Sequence, residues 1–220
     1  MDERREKKMS EEESQLSRRT VLGRMGASVT VGGAGVLALP SPLQSYIRSE
    51  TTTREFQPDT EPVPEDETPY AVWHYEPDDD GMERTAPINV VFPLETATFG
   101  DVTSTIRQAG LTGPPLEYIR YAWDRDREAY RRQQWTAAET ALGLSGRMHV
   151  RCWKLADTAS IQVHLDSAAI PEHEIISYAR GRDAVERIFQ EDGWTIDDES
   201  LHLGNDSWPD HDGWATVIRQ

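Results

Sequence analysis

The chain has 220 residues, 23 of them Lys or Arg and 39 Asp or Glu, for a formal charge of −16 and a sequence pI of about 4.7. Phosphate contacts and anionic lipid surfaces both require clustered positive charge, so this balance excludes nucleic acid and disfavours an acidic membrane face. A single cysteine, Cys152, excludes an internal disulfide, while 37% hydrophobic residues and seven tryptophans supply the bulk for one core.

The charge is unevenly placed. Residues 1–24 carry seven basic and six acidic side chains, so a balance of −17 lies beyond them. Only Lys7, Lys8 and Lys154 are lysines, beside twenty arginines. Self-repulsion of this size opposes compactness unless salt screens it, and the Debye length falls to roughly 3 Å at 1 M. An acid-rich, lysine-poor surface is therefore expected of a halophilic source.

Residues 1–16 form a charged polar tail. Residues 17–43 open with Ser17-Arg18-Arg19-Thr20-Val21-Leu22 and continue into an uncharged run over 25–43. Ser17, Arg18, Arg19, Val21 and Leu22 match the pattern of a twin-arginine export signal, which this zone resembles. The resemblance implies passage of a folded chain through the twin-arginine translocase, and an extracellular or cell-surface location. The nineteen uncharged residues also equal the length of a membrane tether, although their glycines and prolines weaken that reading. Residues 44–68, rich in Thr, Glu and Pro, read as a disordered acidic linker. Residues 69–220 read as the folded domain.

Within that domain, Ile88-Asn89-Val90-Val91-Phe92 predicts a strand. Thr98 and Asp101 form a capping box, Phe99, Val102 and Ile106 share a helical face, and Gly110 is a stop. Residues 118–123 predict a strand. Thr136 and Glu139 repeat the capping signal and predict a short helix ending near Gly143. Apolar alternation then predicts a hairpin from 148–154 and 160–166. A helix over 178–192 follows, capped by Ser177 and stopped by Gly193. Residues 201–203 and 214–218 close the domain as strands. Helices and strands mix without strict βαβ alternation, so the expected class is α+β, a largely antiparallel sheet packed by two or three helices.

The hairpin carries the chemistry. With Asp157-Thr158 as its turn, His149 faces Asp166, Arg151 faces His164 and Trp153 faces Gln162, while Val150, Cys152, Val163 and Leu165 take the other side. Cys152 therefore reads as packing. His173, just beyond the second strand, is placed to fold back on the cluster. His149, His164 and Asp166 suit a divalent metal such as zinc. Arg151 with protonated histidines suits a phosphate or carboxylate. A polar sheet face under solvent or a helix explains the same alternation without a ligand. Asp78-Asp79-Asp80-Gly81 and the acidic 205–213 stretch lack the spacing of a calcium loop and read as solvated turns. The tryptophans have no regular spacing and read as core or surface anchors rather than a carbohydrate platform.

Several short motifs look like the carboxy-terminal domain of LssY-type proteins. They are the strand from Ile88, His149-Val150-Arg151 with Trp153, His164-Leu165-Asp166, His173, Asp183 and Arg187 with Arg182, and Gly193-Trp194. The resemblance spans about residues 88–194 and nominates His149, Arg151, Asp166, His173, Asp183 and Arg187 as a shared site. In that family the domain accompanies a membrane phosphatase domain that these residues do not contain, so phosphatase activity is not implied. The expected function is an exported binding or accessory module. The alternative is a hydrolase of phosphate esters or similar anions, with Arg151 holding the anion and His149 or His164 as base.

Overall fold

The computed structural model describes residues 60–113, 118–138, 147–167 and 174–220. The export motif, the apolar run and residues 44–59 of the expected linker lie outside them. Residues 60–68 pack on the domain: Val63 N–H donates to His202 O at 2.8 Å, Glu65 pairs with Arg84, and Thr68 is buried.

Twelve strands, β1 to β12, and two helices, α1 and α2, are found among the described residues. β1 (Trp73–Asp78) and β2 (Gly81–Pro87) form a hairpin whose tight turn is Asp79-Asp80. β4 (Tyr121–Asp124) and β5 (Ala129–Arg132) complete a four-stranded sheet of order β2-β1-β4-β5. The larger sheet uses β3 (Val90–Pro93), β6 (Trp135–Ala138), β7 (Arg147–Leu155), β8 (Thr158–Asp166), β10 (Thr195–Ile196) and β12 (Trp214–Arg219). Its order is β10-β12-β3-β8-β7-β6, with β9 (Ile175–Ser177) beside β8 and β11 (Leu201–His202) beside β12. All pairings are antiparallel except β12 with β3. The α+β expectation stands in this coarse form, with a second sheet that hydrophobic patterning did not separate from the first.

Each face of the large sheet has its own core. On one face α1 (Phe99–Gln108) and α2 (Ala179–Glu191) lay Val102, Ile106, Ala184, Val185, Ile188 and Phe189 against Val150, Cys152, Ile161, Val163 and Leu165. Phe189 and Trp194 meet edge-on at 5.0 Å in this layer. On the other face Ala71, Val72, Ile88 and Ala122 pack with Trp153, Leu155 and Val217, and His74 of β1 stacks on Trp153 at 5.8 Å. The small sheet thus roofs the side of β7 and β8 opposite the helices.

The capping box at Thr98 is formed in both directions, Thr98 Oγ1 accepting from Asp101 N–H and Asp101 Oδ2 from Thr98 N–H. Asn89 extends the β3–β8 ladder with its side chain. Its Nδ2 donates to Val163 O at 2.8 Å and its Oδ1 accepts from Val163 N–H at 2.9 Å, mimicking a peptide group.

Three expectations are corrected. Thr136 does not open a helix: residues 135–138 form β6 against β7, and Thr136 Oγ1 donates to Val150 O. Cross-strand pairing overrides the local cap signal there; the remainder of the predicted helix lies outside the described residues. The hairpin loop is Ala156-Asp157, one residue earlier than predicted, with Leu155 paired to Thr158 and Ala156 at φ 48°. Every cross-strand partner therefore moves by two, an even shift that leaves the faces unchanged. Helix α2 begins at Ala179 after Tyr178, whose side chain makes no capping bond. Ser177 Oγ accepts from Arg180 N–H at 3.0 Å, and Asp210 Oδ1, thirty residues downstream, accepts from the N–H groups of Tyr178 and Ala179. Among the described residues no helix is long and apolar enough to cross a membrane.

Candidate functional site

The polar face of the β7–β8 hairpin is a ladder of opposed pairs: Arg147 with Asp166, His149 with His164, and Arg151 with Gln162. His149, Arg151, His164 and Asp166 are only 6, 7, 2 and 5% exposed, so the face is closed rather than solvated. Gly181 of α2 makes close packing possible beneath it. A Cβ there would lie 2.9 Å from His164 Cα, which is how near the helix backbone comes to β8.

The hydrogen bonds run in one direction. Arg151 Nη1 donates to Gln162 Oε1 at 3.2 Å, which turns the amide nitrogen towards His164 Nδ1, 2.5 Å away. Nδ1 accepts, so the proton of the neutral ring sits on Nε2 and is donated to Asp166 Oδ1 at 2.9 Å. Asp166 Oδ2 lies 4.0 Å from His149 Nδ1 and 3.7 Å from Arg147 Nη2. The two imidazoles meet edge-on at 5.2 Å, and Tyr178 lies 6.2 Å from His164.

Burial governs the charges. It pushes His164 down to about 4, only partly offset by the Asp166 hydrogen bond and charge. It drives His74 well below its ordinary value, with the Arg151 and Arg120 guanidiniums adding to the effect. Asp166 would be raised by burial, but its bond to His164 and the neighbouring His149 and Arg147 outweigh that and hold it low. At neutral pH the cluster thus holds a neutral His164 hydrogen-bonded to an ionised Asp166, while His74, on the small sheet and stacked on Trp153, is also neutral. A protonated His164 gripping an anion does not fit this state.

The geometry does suit a cation. His149, His164 and Asp166 each offer one ligand atom, and these lie within 4.8 Å of one another. Four-coordinate zinc with bonds near 2.05 Å sets its ligands about 3.4 Å apart, so the three ligand atoms must draw closer together and His164 Nε2 must give up the proton it donates to Asp166 before it can bind. The buried group could hold a metal.

The other nominated residues fall elsewhere. Asp183 and Arg187 lie on α2, the helix packed on the apolar face of the sheet, where Arg187 Nε donates to Asp183 O at 3.1 Å. His173 lies outside the described residues. Cys152 faces the helices with its thiol pushed up by burial. Ser160, on the cluster's face, accepts Ala71 N–H with its hydroxyl oxygen at 3.0 Å.

Sequence reasoning missed Arg147, His74 and Tyr178. The first follows from the corrected register; the others come from the small sheet and the helix start, for which strand alternation carries no signal. It also misread residues 205–213 as a solvated turn. Asn205 and His211 are buried there: Asn205 Nδ2 donates to Val72 O and Ile88 O, and its Oδ1 is 2.9 Å from His211 Nε2. Arg182 grips Asp212 with two bonds of 2.8 and 3.0 Å.

No family model, curated protein or solved structure matches the chain. Its function is argued from this geometry.

Proposed function

We propose that the chain is an exported cell-surface module that carries a divalent metal ion on His149, His164 and Asp166. One observation carries the reading: two imidazoles and a carboxylate converge, each more than nine-tenths buried. Nitrogen and oxygen donors in this mixture favour zinc or a similar ion, and a closed site is characteristic of structural rather than catalytic metal. Hydrolysis of a phosphate ester would require an open coordination position or a nucleophile reachable by substrate. The burial of all four cluster residues favours the module. Two cavities among the described residues are lined by other side chains.

Ser17, Arg18, Arg19, Val21 and Leu22 support delivery by the twin-arginine translocase, with residues 25–43 as a cleaved signal or retained tether. The excess acidity supports a high-salt exterior.

Full-length protein purified in 2 M KCl is expected to hold about one zinc per chain after equilibration and gel filtration, measured by elemental analysis. His149→Ala and Asp166→Ala should each lower that occupancy at least tenfold. Wild-type protein that is folded but binds no zinc, cobalt or manganese overturns the metal assignment, as do variants with unchanged metal content. Hydrolysis of 4-nitrophenyl phosphate that depends on His149 and Arg151 would replace the module with the enzyme.

A further inference from the structure

The small sheet has an outer face remote from the buried cluster. His74 and Ala122 point inward, onto Trp153 and into the second core. Strand alternation therefore turns Tyr75 and Trp123 to the opposite face, where Tyr75 is buried beneath its neighbours and Tyr130, the cross-strand partner of Trp123, joins them. Tyr130 stands edge-to-face against both neighbours, 4.9 Å from Tyr75 and 5.1 Å from Trp123. With Met82, Arg84, Glu65 and Asp66 these rings line a groove of about 550 Å³, inside the span of roughly 300–1,000 Å³ usual for small-molecule sites.

Three polar side chains of the groove, those of Glu65, Tyr75 and Arg84, bond one another. Tyr75 Oη donates to Glu65 Oε1 at 2.8 Å, Arg84 Nη2 donates to Glu65 Oε2 at 3.1 Å, and Arg84 Nε reaches Tyr75 Oη at 3.4 Å. The Arg84 guanidinium also lies over the Trp73 ring, 5.7 Å from its centre. Pre-set geometry lowers the ordering cost of binding.

Charge decides the ligand class. Glu65 and Asp66 oppose an anion, and the pairing of Arg84 with Glu65 leaves Asp66 as the single uncompensated charge on the rim. What remains is a set of aromatic faces beside directional donors and acceptors. A pyranose ring matches both: its C–H face lies on an aromatic ring, and its vicinal hydroxyls pair with a carboxylate or a planar guanidinium. We propose that this groove binds a neutral saccharide, with Trp123 and Tyr130 as the platform and Glu65, Asp66 and Arg84 as hydroxyl partners. The site does not depend on the metal reading, since it shares no residue with the cluster.

Tryptophan fluorescence of the full chain in 2 M KCl tests this, titrated with maltotetraose, cellotetraose and chitotetraose and, separately, with tetramethylammonium chloride and inorganic phosphate. Saturable binding of at least one saccharide is expected, with affinity at least tenfold weaker in Tyr130→Ala and in Arg84→Ala. Tyr130 is 38% exposed, so its variant, although it loses two ring contacts and some Tm, should keep the wild-type circular dichroism at the assay temperature, separating lost binding from lost fold. The proposal is overturned if none of the three saccharides binds, if the variants bind as wild type, or if only tetramethylammonium or phosphate binds.

Discussion

Replacing Gly181 by alanine sets two well-measured effects against each other. Inside a helix Ala is favoured over Gly by about 1 kcal/mol. At this position, however, the new methyl would lie 2.9, 3.1 and 3.2 Å from Cα, N and C of His164. All three are backbone atoms of a central strand, so no side chain can swing aside. Helix and sheet must separate by about half an ångström, which weakens the dispersion contacts of Val185, Ile188 and Phe189 as well. Overpacking of this kind costs about 1–3 kcal/mol, so Gly181→Ala should destabilise by about 1 kcal/mol net and lower Tm by roughly 2–4 °C. Gly100→Ala is the control: its methyl meets only Thr98 Oγ1 at 3.4 Å, and stability should hold or rise slightly. Urea and thermal denaturation in 2 M KCl measure both variants. A Gly181→Ala protein as stable as wild type, or more so, would refute the claim that α2 rests on the β8 backbone.

Asn89→Asp changes one buried atom, turning the donor that faces Val163 O into an acceptor; a loss of about 3 kcal/mol is expected at pH 7.5 by urea titration, and a change under 1 kcal/mol would contradict the side-chain ladder. Asn205→Ala removes the partner of two carbonyls and of His211, and should cost about 3 kcal/mol by the same assay, with no loss expected if the 205–213 loop were merely a surface turn. His164 and His211 both titrate near 4 in the fold, driven down by burial, against about 6.5 when unfolded. A depressed histidine contributes stability that is complete above pH 6.5 and is lost as pH falls through about 4, so the metal-free protein should weaken by several kcal/mol between pH 7 and 4. A flat profile of unfolding free energy across that interval would remove this assignment.

Much of the candidate site could be read from strand periodicity. His149, Arg151, His164 and Asp166 share a face because period-two alternation survives any even error in register, so misplacing the turn by one residue changed partners and not faces. Local signals with self-contained bonds were equally legible, as at Thr98 and Asp101. What the sequence concealed was set by long-range contacts. Thr136 carries a capping pattern, yet β7 recruits it as a strand. Ser177 caps α2 through Arg180 N–H as its position suggests, but the N–H groups of Tyr178 and Ala179 go to Asp210, which no window around Ser177 contains. Asp183 and Arg187 looked like site residues by motif, but helical periodicity assigns their helix to the apolar side of the sheet. Charge alone could not show that the face is roofed, because the roof belongs to a different sheet.

The parallel pairing of β12 with β3 joins Val90 and Val91 to Thr216 and Val217. Those segments are separated by roughly 130 residues, about 6–25 s of ribosomal elongation, so the middle of the large sheet stays open until synthesis has passed residue 219. For that interval β3 presents an apolar edge with no neighbour on one side. A chain built this way cannot close its large sheet until β12 has emerged, however early β3 is made. Delay or chaperone shielding at that stage, rather than the stability of the finished domain, would then set how much folded protein accumulates.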